Sequence, residues 1–524
     1  MPLAPPAGNF DVITSLSFIE DARNTLQCLS PQAVVAAVNA GQHWNDRRDI
    51  PDVVAFGDLA HAPDRTVRIL ASRLADGQLT GPTYKMPVAK ADPSKSDQPL
   101  RWGCVLDPVT ELGIRLHMSA CVDIIEARAR AIGDDVVCAG RVGSGATPAG
   151  WFQLEPSYLL DRRGAAIVDL VQDAGWYALG LADVKNCYPS LTAAAVCGGL
   201  SDSGVPDAIV EPIRQLMLDL GDLYQYKGLP IGPEWAPLLA NAALFALDDR
   251  LQAAGIRHQR WIDDVAFLFD GLGWSQARST FESAAHQLGL EPNYRKYAYI
   301  KDRTRALAHF VDPLISEMQL AATNAERLEI ARRVHADAVT DTSPQRDRRL
   351  KFSLGVMSGH GAIDGIAPVM SNPDLLAVAP RHYGRYLKRM VTDGAVDLDW
   401  VVDRAATRRT DRDAIGQLHL LRTCAATPDV WSDQHAVAFL ACADDAHTPS
   451  PVRAWAAAAY ATTSAFKPKE ALERAEDTGN THLQPAWTLA LARRPGGRKV
   501  KKGARRLQQA YPHCGPAAQL VLDA

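Results

Sequence analysis

The sequence predicts an α+β protein in which strands and helices mix over roughly the first 310 residues and an all-α region follows. Three observations carry this prediction. A strand-turn-helix pattern at 176–190 and a hairpin pattern at 260–269 place strands among helices. From about 321 onward, one helix-length stretch of 10–18 residues follows another, each broken by Pro or Gly. The composition of the 524 residues, 47% hydrophobic and 22% charged, is that of an ordinary globular chain, long enough for about three domains.

In chain order, 1–80 reads as an N-terminal, mostly helical extension with helices near 31–40 and 66–74. Residues 81–110 read as loop-rich, because Pro82, Pro87, Pro93, Pro99 and Pro108 fall within them. A long amphipathic helix is expected over 110–132, closing before Gly133, and 140–150 reads as a flexible Gly/Ser/Ala stretch. The apolar run 176–182 is strand-like, with Asp183 ending it and Ser190 placed to N-cap the helix after Pro189. The Gly/Pro turn 228–233 leads into a helix reaching about Leu251, with Pro233 near its first turn. Two short apolar runs flank Asp263-Asp264 and predict a tight β-hairpin, followed by an amphipathic helix at 273–288 that Gly289 ends. The helices beyond show no fixed period and read as an irregular array. The expected domains are therefore 1–80, 81–310 and 311–524.

Composition excludes several classes. A membrane span needs about 18 apolar residues, and the best run, 236–247, is interrupted by Asn241. Asp11 precedes the first basic residue, Arg23, so a secretory n-region is missing. Nine Cys without a CxxC pair suit a reducing cytoplasm and no zinc module. The net charge of -4 argues against a polyanionic partner only until it is divided. Residues 321–524 hold 28 Lys and Arg against 22 Asp and Glu, whereas 1–320 hold 28 against 38. An acidic part precedes a basic one.

Three segments concentrate chemistry: Asp183-Val184-Lys185-Asn186-Cys187-Tyr188-Pro189-Ser190, Gly228-Leu229-Pro230-Ile231-Gly232 with Pro237-Leu238-Leu239-Ala240-Asn241, and Arg260-Trp261-Ile262-Asp263-Asp264. A strand-end carboxylate and a hairpin-tip pair can converge across neighbouring strands. Carboxylates with little His or Cys nearby suit Mg²⁺, a hard ion that takes oxygen ligands, with Mn²⁺ as its substitute. Two such ions clamp the attacking and leaving oxygens of a phosphoryl displacement. Asp-Asp pairs also occur at Asp134-Asp135, Asp248-Asp249 and Asp444-Asp445, where they read as solvated turns or helix faces. The dipeptide alone carries little; its setting between two strand-like runs, downstream of the other two segments, carries the argument.

Together these segments resemble the reverse transcriptase family over about 81–310. Residues 183–190 are similar to its first catalytic motif, an Asp followed by an aromatic pair and Pro-Ser. Residues 228–232 and 237–241 are similar to the second, usually a Leu-Pro-Gln-Gly turn, then Ser-Pro and Leu-Ala-Asn. Trp261-Ile262-Asp263-Asp264 takes the place of Tyr-x-Asp-Asp, and Leu288-Gly289-Leu290, Asn293 and Lys296 match a further segment. The resemblance implies right-hand polymerase fingers and palm, with catalytic Asp183, Asp263 and Asp264. It places two metal ions on Asp183, Asp263 and the Val184 carbonyl, with Asp264 beside them. Tyr188 would lie under the incoming sugar and favour deoxynucleotides. Pro230, Gly232 and Lys296, with Lys85, Lys90 and Arg101 from the fingers, would meet the nucleotide. Ile231 replaces the usual Gln, Ala236 the usual Ser, and Cys187 a common Phe or Ala, but no metal ligand is lost. These departures and the helical tail bring the chain nearer to divergent bacterial reverse transcriptases of phage defence, some of which carry a C-terminal helical-repeat domain.

Basic stretches supply the expected nucleic-acid contacts. Arg295, Lys296, Lys301, Arg303 and Arg305 are interleaved with Tyr294, Tyr297 and Tyr299, a mix that can track phosphates and stack on bases. Residues 493–506 include Arg498, Lys499, Lys501 and Lys502 and hold no acid. Arg381, Arg385, Lys388 and Arg389 sit with Tyr383 and Tyr386. Expected partners are deoxynucleoside triphosphates and RNA or DNA, a dedicated noncoding RNA included, with a homo-oligomer through the helical region. Templated, untemplated and protein-primed synthesis stay open. The competing readings are a non-catalytic polymerase-like scaffold that binds nucleic acid, and a retron or intron-type enzyme.

Overall fold

The computed structural model describes residues 50–53, 69–70, 72–73, 76, 79–88, 100–147, 150–152, 164, 167–168, 171–172, 176–269 and 273–523, apart from 342, 344, 408–409 and 494–496. The helix expected at 31–40, most of that at 66–74, and Lys90 lie outside these residues. The protein is a mixed α+β fold, mostly helical, with small antiparallel sheets and an all-helical C-terminal region. It divides into two compact units that do not follow chain order. One comprises Met1–Asp46, Leu70–Gly81 and Val109–Asp312; the other comprises Arg47–Ile69, Pro82–Pro108 and Pro313–Ala524.

Among the described residues the strands are β1 (Thr83–Val88), β2 (Arg101–Leu106), β3 (Val142–Thr147), β4 (Gly150–Phe152), β5 (Ala178–Lys185), β6 (His258–Trp261), β7 (Asp264–Phe269), β8 (Glu291–Pro292) and β9 (Ala298–Ile300). In the first unit, β6, β7, β5 and β8 lie in that order and β9 also pairs with β5, all antiparallel. β5 and β7 are buried on both faces, which is why they read as near-continuous apolar runs rather than alternating ones. Leu179, Ala266, Leu268 and Ile300 pack with Ile167, Val171 and Ala306. Phe267 and Phe269 meet Trp274 edge-on, and Phe267 also meets Phe281, on the helix Trp274–Gln287.

Several local expectations shift. Asp183 does not end its strand, because Val184 and Lys185 continue it by pairing with Pro292 and Glu291 of β8. Ser190 closes a short helix, Cys187–Ser190, and Thr192 instead caps Ala193–Asp202, its side chain accepting from the Ala195 N–H at 3.2 Å. The helix after the Gly/Pro turn starts at Ala236, beyond Pro233. The stretch 140–150, read as flexible, contains β3, which pairs with β4. Likewise the range 81–110, read as loop-rich, contains β1 and β2, which pair in register from Thr83↔Leu106 to Val88↔Arg101, while 89–99 lie outside the described residues. Pro87 fits there because each strand of a two-stranded sheet is an edge.

In the second unit, β1 packs on the helices Ala414–Ala425 and Ser450–Tyr460. Met86 and Val105 join Ile50 in the core of the helical array. The Trp455 indole donates to the Pro51 carbonyl at 2.9 Å, Tyr84 stacks on His482, and the Tyr84 and Thr481 hydroxyls share a hydrogen bond. The array is more regular than its sequence. The helices beginning at Pro380, Ala414, Ser450, Leu483 and Gly515 each pack on the next, 32–36 residues apart, with one companion α-helix in each interval. Their divergent side chains hide a period that the backbone keeps. Among the described residues no helix is long and apolar enough to cross a membrane.

Candidate metal centre

The antiparallel register of β5 and β7 sets Asp183 directly opposite Asp264. One strand over, Trp261 pairs with Asp264, so Ile262 and Asp263 form the two-residue turn between β6 and β7. The turn carries strain. Ile262 has φ +52°, a left-handed conformation that a β-branched residue adopts at a cost of about 1–3 kcal/mol. The Asp263 carbonyl accepts the Val184 N–H at 3.1 Å, tying the turn to β5. One carboxylate oxygen from each of Asp183, Asp263 and Asp264 then lies within 4.8 Å of the others.

The three differ in environment. Asp183 is 3% exposed, whereas the Asp264 side chain is 51% exposed. Asn293 donates its side-chain amide to Asp183 Oδ1 at 2.7 Å and its backbone N–H to the Asp183 carbonyl at 2.8 Å. Lys296 Nζ donates to Asp183 Oδ2 at 2.6 Å and lies 3.6 Å from Asp264 Oδ1. Burial pushes the Asp183 carboxyl above its ordinary value, although the Lys296 and Asn293 hydrogen bonds pull the other way. Asp263 is pushed up to about 6, first by burial and then by the charges of Asp264 and Asp183. Burial works against the Lys296 charge, but the surrounding carboxylates raise its pKa above the usual lysine value. Three carboxylates facing one ammonium leave a surplus of negative charge. Their all-oxygen donor set suits a hard divalent cation.

The second segment is brought to the first. Leu229 donates its N–H to the Tyr188 carbonyl at 2.8 Å. Gly228, at φ +69°, passes so close that a Cβ there would stand 2.4 Å from the same carbonyl. Only glycine permits this approach. Pro230 is buried, Gly232 follows at φ +130°, and the Ile231 N–H donates to the Tyr226 hydroxyl at 3.1 Å. Tyr188 is half-buried, and burial, with the nearby Cys187 and Asp263, raises the pKa of its phenol well above the usual value. Val184 is buried behind Asp183.

The other expected contacts are distributed. Arg295 is exposed beside Lys296 on the single turn Tyr294–Lys296, and Tyr294 is 50% exposed. Lys301 lies over the Tyr177 and Tyr299 rings, and Arg303 over Trp176. Lys85 is on β1 and the exposed Arg101 on β2, both in the second unit. On the helix Arg498–Ala510, Arg498, Lys499 and Lys502 are exposed, while Lys501 donates to the Leu522 carbonyl at 3.4 Å. Tyr383 and Tyr386 are fully buried, and the Tyr386 hydroxyl donates to the Ala362 carbonyl, so they are core residues rather than stacking platforms.

Sequence reasoning missed a buried charge network. Asp248, read as a solvated helix face, is fully buried and paired with Arg260. Its only signal was position: Asp248 follows Asn241 by seven residues, two helical turns, on the same face. Compared with known proteins, the chain matches no family model and no curated sequence.

Proposed function

We propose that the protein is a metal-dependent nucleotidyltransferase of the reverse transcriptase kind, adding deoxynucleotides to a growing chain in phage defence. The observation that carries this reading is the convergence of Asp183 with Asp263 and Asp264, 80 residues later, beside Tyr188 and the 228–232 turn. Unrelated surface acids do not bring three separate sequence motifs to one place.

In this reading Asp183, Asp263 and Asp264 hold Mg²⁺ or Mn²⁺, which supplies positive charge to an in-line displacement at a phosphate. Tyr188 forms a floor whose ring excludes a 2′-hydroxyl. Lys296, half exposed at the edge of the carboxylates, offers an ammonium group to a leaving phosphate. Arg295 and the basic helix Arg498–Ala510 meet the nucleic-acid backbone. The full-length protein with Mg²⁺ and labelled deoxynucleotides is expected to extend a chain. The double variant Asp263→Ala, Asp264→Ala is expected to lose that activity, and full synthesis by it would reject the proposal.

One observation favours a second reading. Lys296 bridges Asp183 and Asp264 and partly neutralises the cluster from within, as a non-catalytic nucleic-acid-binding scaffold would require. Nucleic-acid binding without incorporation, across several metals and primers, would support the scaffold.

A further inference from the structure

Arg260 lies on β6, two residues before Ile262 of the turn that carries Asp263, and its side chain is fully buried. Each nitrogen of its guanidinium has a partner. Nε donates to Asp248 Oδ1 at 2.9 Å and Nη2 to Asp248 Oδ2 at 2.6 Å. Nη1 donates to Asn241 Oδ1 at 3.0 Å and to the Ile262 carbonyl at 3.2 Å. Asp248 and Asn241 both stand on the helix Ala236–Ala253. His258 Nε2 lies 3.1 Å from Asp248 Oδ1, and the Asn241 amide donates to the Ala139 carbonyl at 2.7 Å. The backbone is held as well, with Arg260 N–H bonded to Val136 and its carbonyl to the Cys138 N–H.

A buried ion pair is a poor source of stability, because well-packed apolar residues do as well. What the planar fork of Arg260 adds is direction: it joins a rigid helix to the carbonyl of Ile262, the one strained residue of the turn. A left-handed β-branched residue persists only where its surroundings over-determine it. We infer that Arg260, backed by Asp248 and Asn241, is a positioning residue for the metal centre, holding the Ile262 turn so that Asp263 faces Asp183 and Asp264. This rests on the metal-binding reading of the three carboxylates.

The test measures Mn²⁺ affinity of the full-length protein by electron paramagnetic resonance, with thermal melting as the check on folding. Arg260→Met combined with Asp248→Leu removes both charges together, so neither is left buried alone. That variant is expected to stay folded and to bind Mn²⁺ roughly 10- to 100-fold more weakly, the usual effect of losing an outer-shell support. Adding Ile262→Gly is expected to restore most of the affinity, because glycine adopts a positive φ unaided. Should the paired variant fail to fold, Arg260→Lys keeps a charge for Asp248 but loses the fork, and the same weakening is expected. Wild-type affinity in the paired variant or in Arg260→Lys overturns the inference, as does a loss that Ile262→Gly leaves unrepaired. Absence of Mn²⁺ binding by the wild-type protein overturns the metal reading itself, and this inference with it.

Discussion

Asp263 occupies the least comfortable position of the three carboxylates: half-buried, next to Asp264 and facing Asp183, with its pKa pushed up to about 6. Its folded-state pKa lies above the ordinary 3.8, so its contribution to stability is fully present below about pH 4 and is lost as pH rises through 6. Near pH 7.5 the shift corresponds to roughly 2–3 kcal/mol of unfavourable charge. Asp263→Asn should therefore raise the stability of the metal-free protein at pH 7.5 by up to about that amount, and should leave it nearly unchanged at pH 4. Added Mg²⁺ should raise the melting temperature of the wild-type protein more at pH 7.5 than at pH 5, where protons compete for the same oxygens. Asp263→Asn should remove most of that response. Urea titrations and thermal melts at the two pH values measure both effects.

At the scale of elements, the helices Ala193–Asp202 and Ala236–Ala253 approach closely at Gly199. A Cβ on Gly199 would stand 2.2 Å from the Ala242 carbonyl, so even alanine must push the helices apart. Gly199→Ala should destabilise the protein by about 1–3 kcal/mol, read as a lower urea midpoint. The sequence made some elements plain and hid others for physical reasons. The β6–β7 hairpin was legible from the apolar run of β7 behind the Asp pair, and with it came Asp263 and Asp264, although β6, His258–Trp261, is largely polar. Lys296 was found through the resemblance, but the clamp of Asn293 on Asp183 is a contact 110 residues away and leaves no local mark. Asp248 misled in the opposite sense: charge signals exposure in any periodicity argument, and only the fold shows that Arg260 neutralises it. The β1–β2 hairpin was read as loop because proline content outweighed its short apolar segments.

At the scale of the molecule, the charge division assigned the basic surplus to the helical region, where residues 498–510 remain its densest part. The interleaving of the two units was not foreseeable from composition. The helical unit contains 47–69 and 82–108, and these supply Ile50, Met86, Val105 and the Asp52 partner of His482. A fragment of residues 313–524 alone should therefore expose the apolar surfaces of Ala414–Ala425 and Ser450–Tyr460. It is expected to bind a hydrophobic dye strongly and to melt at lower temperature than the same fragment supplied with residues 47–108. Equal melting and no dye binding would show that the hairpin only decorates the array.

The contact between Tyr84 and Thr481 has a consequence in time. The two residues are 397 positions apart. At about 5–20 residues per second, a ribosome takes on the order of 20–80 s to deliver the second after the first. Throughout that interval Met86 and Val105 lack the helices that cover them in the folded protein, and β1 and β2 have no strand neighbour but each other. The nascent chain thus has a window in which a holding chaperone would find this hairpin before its own helices do.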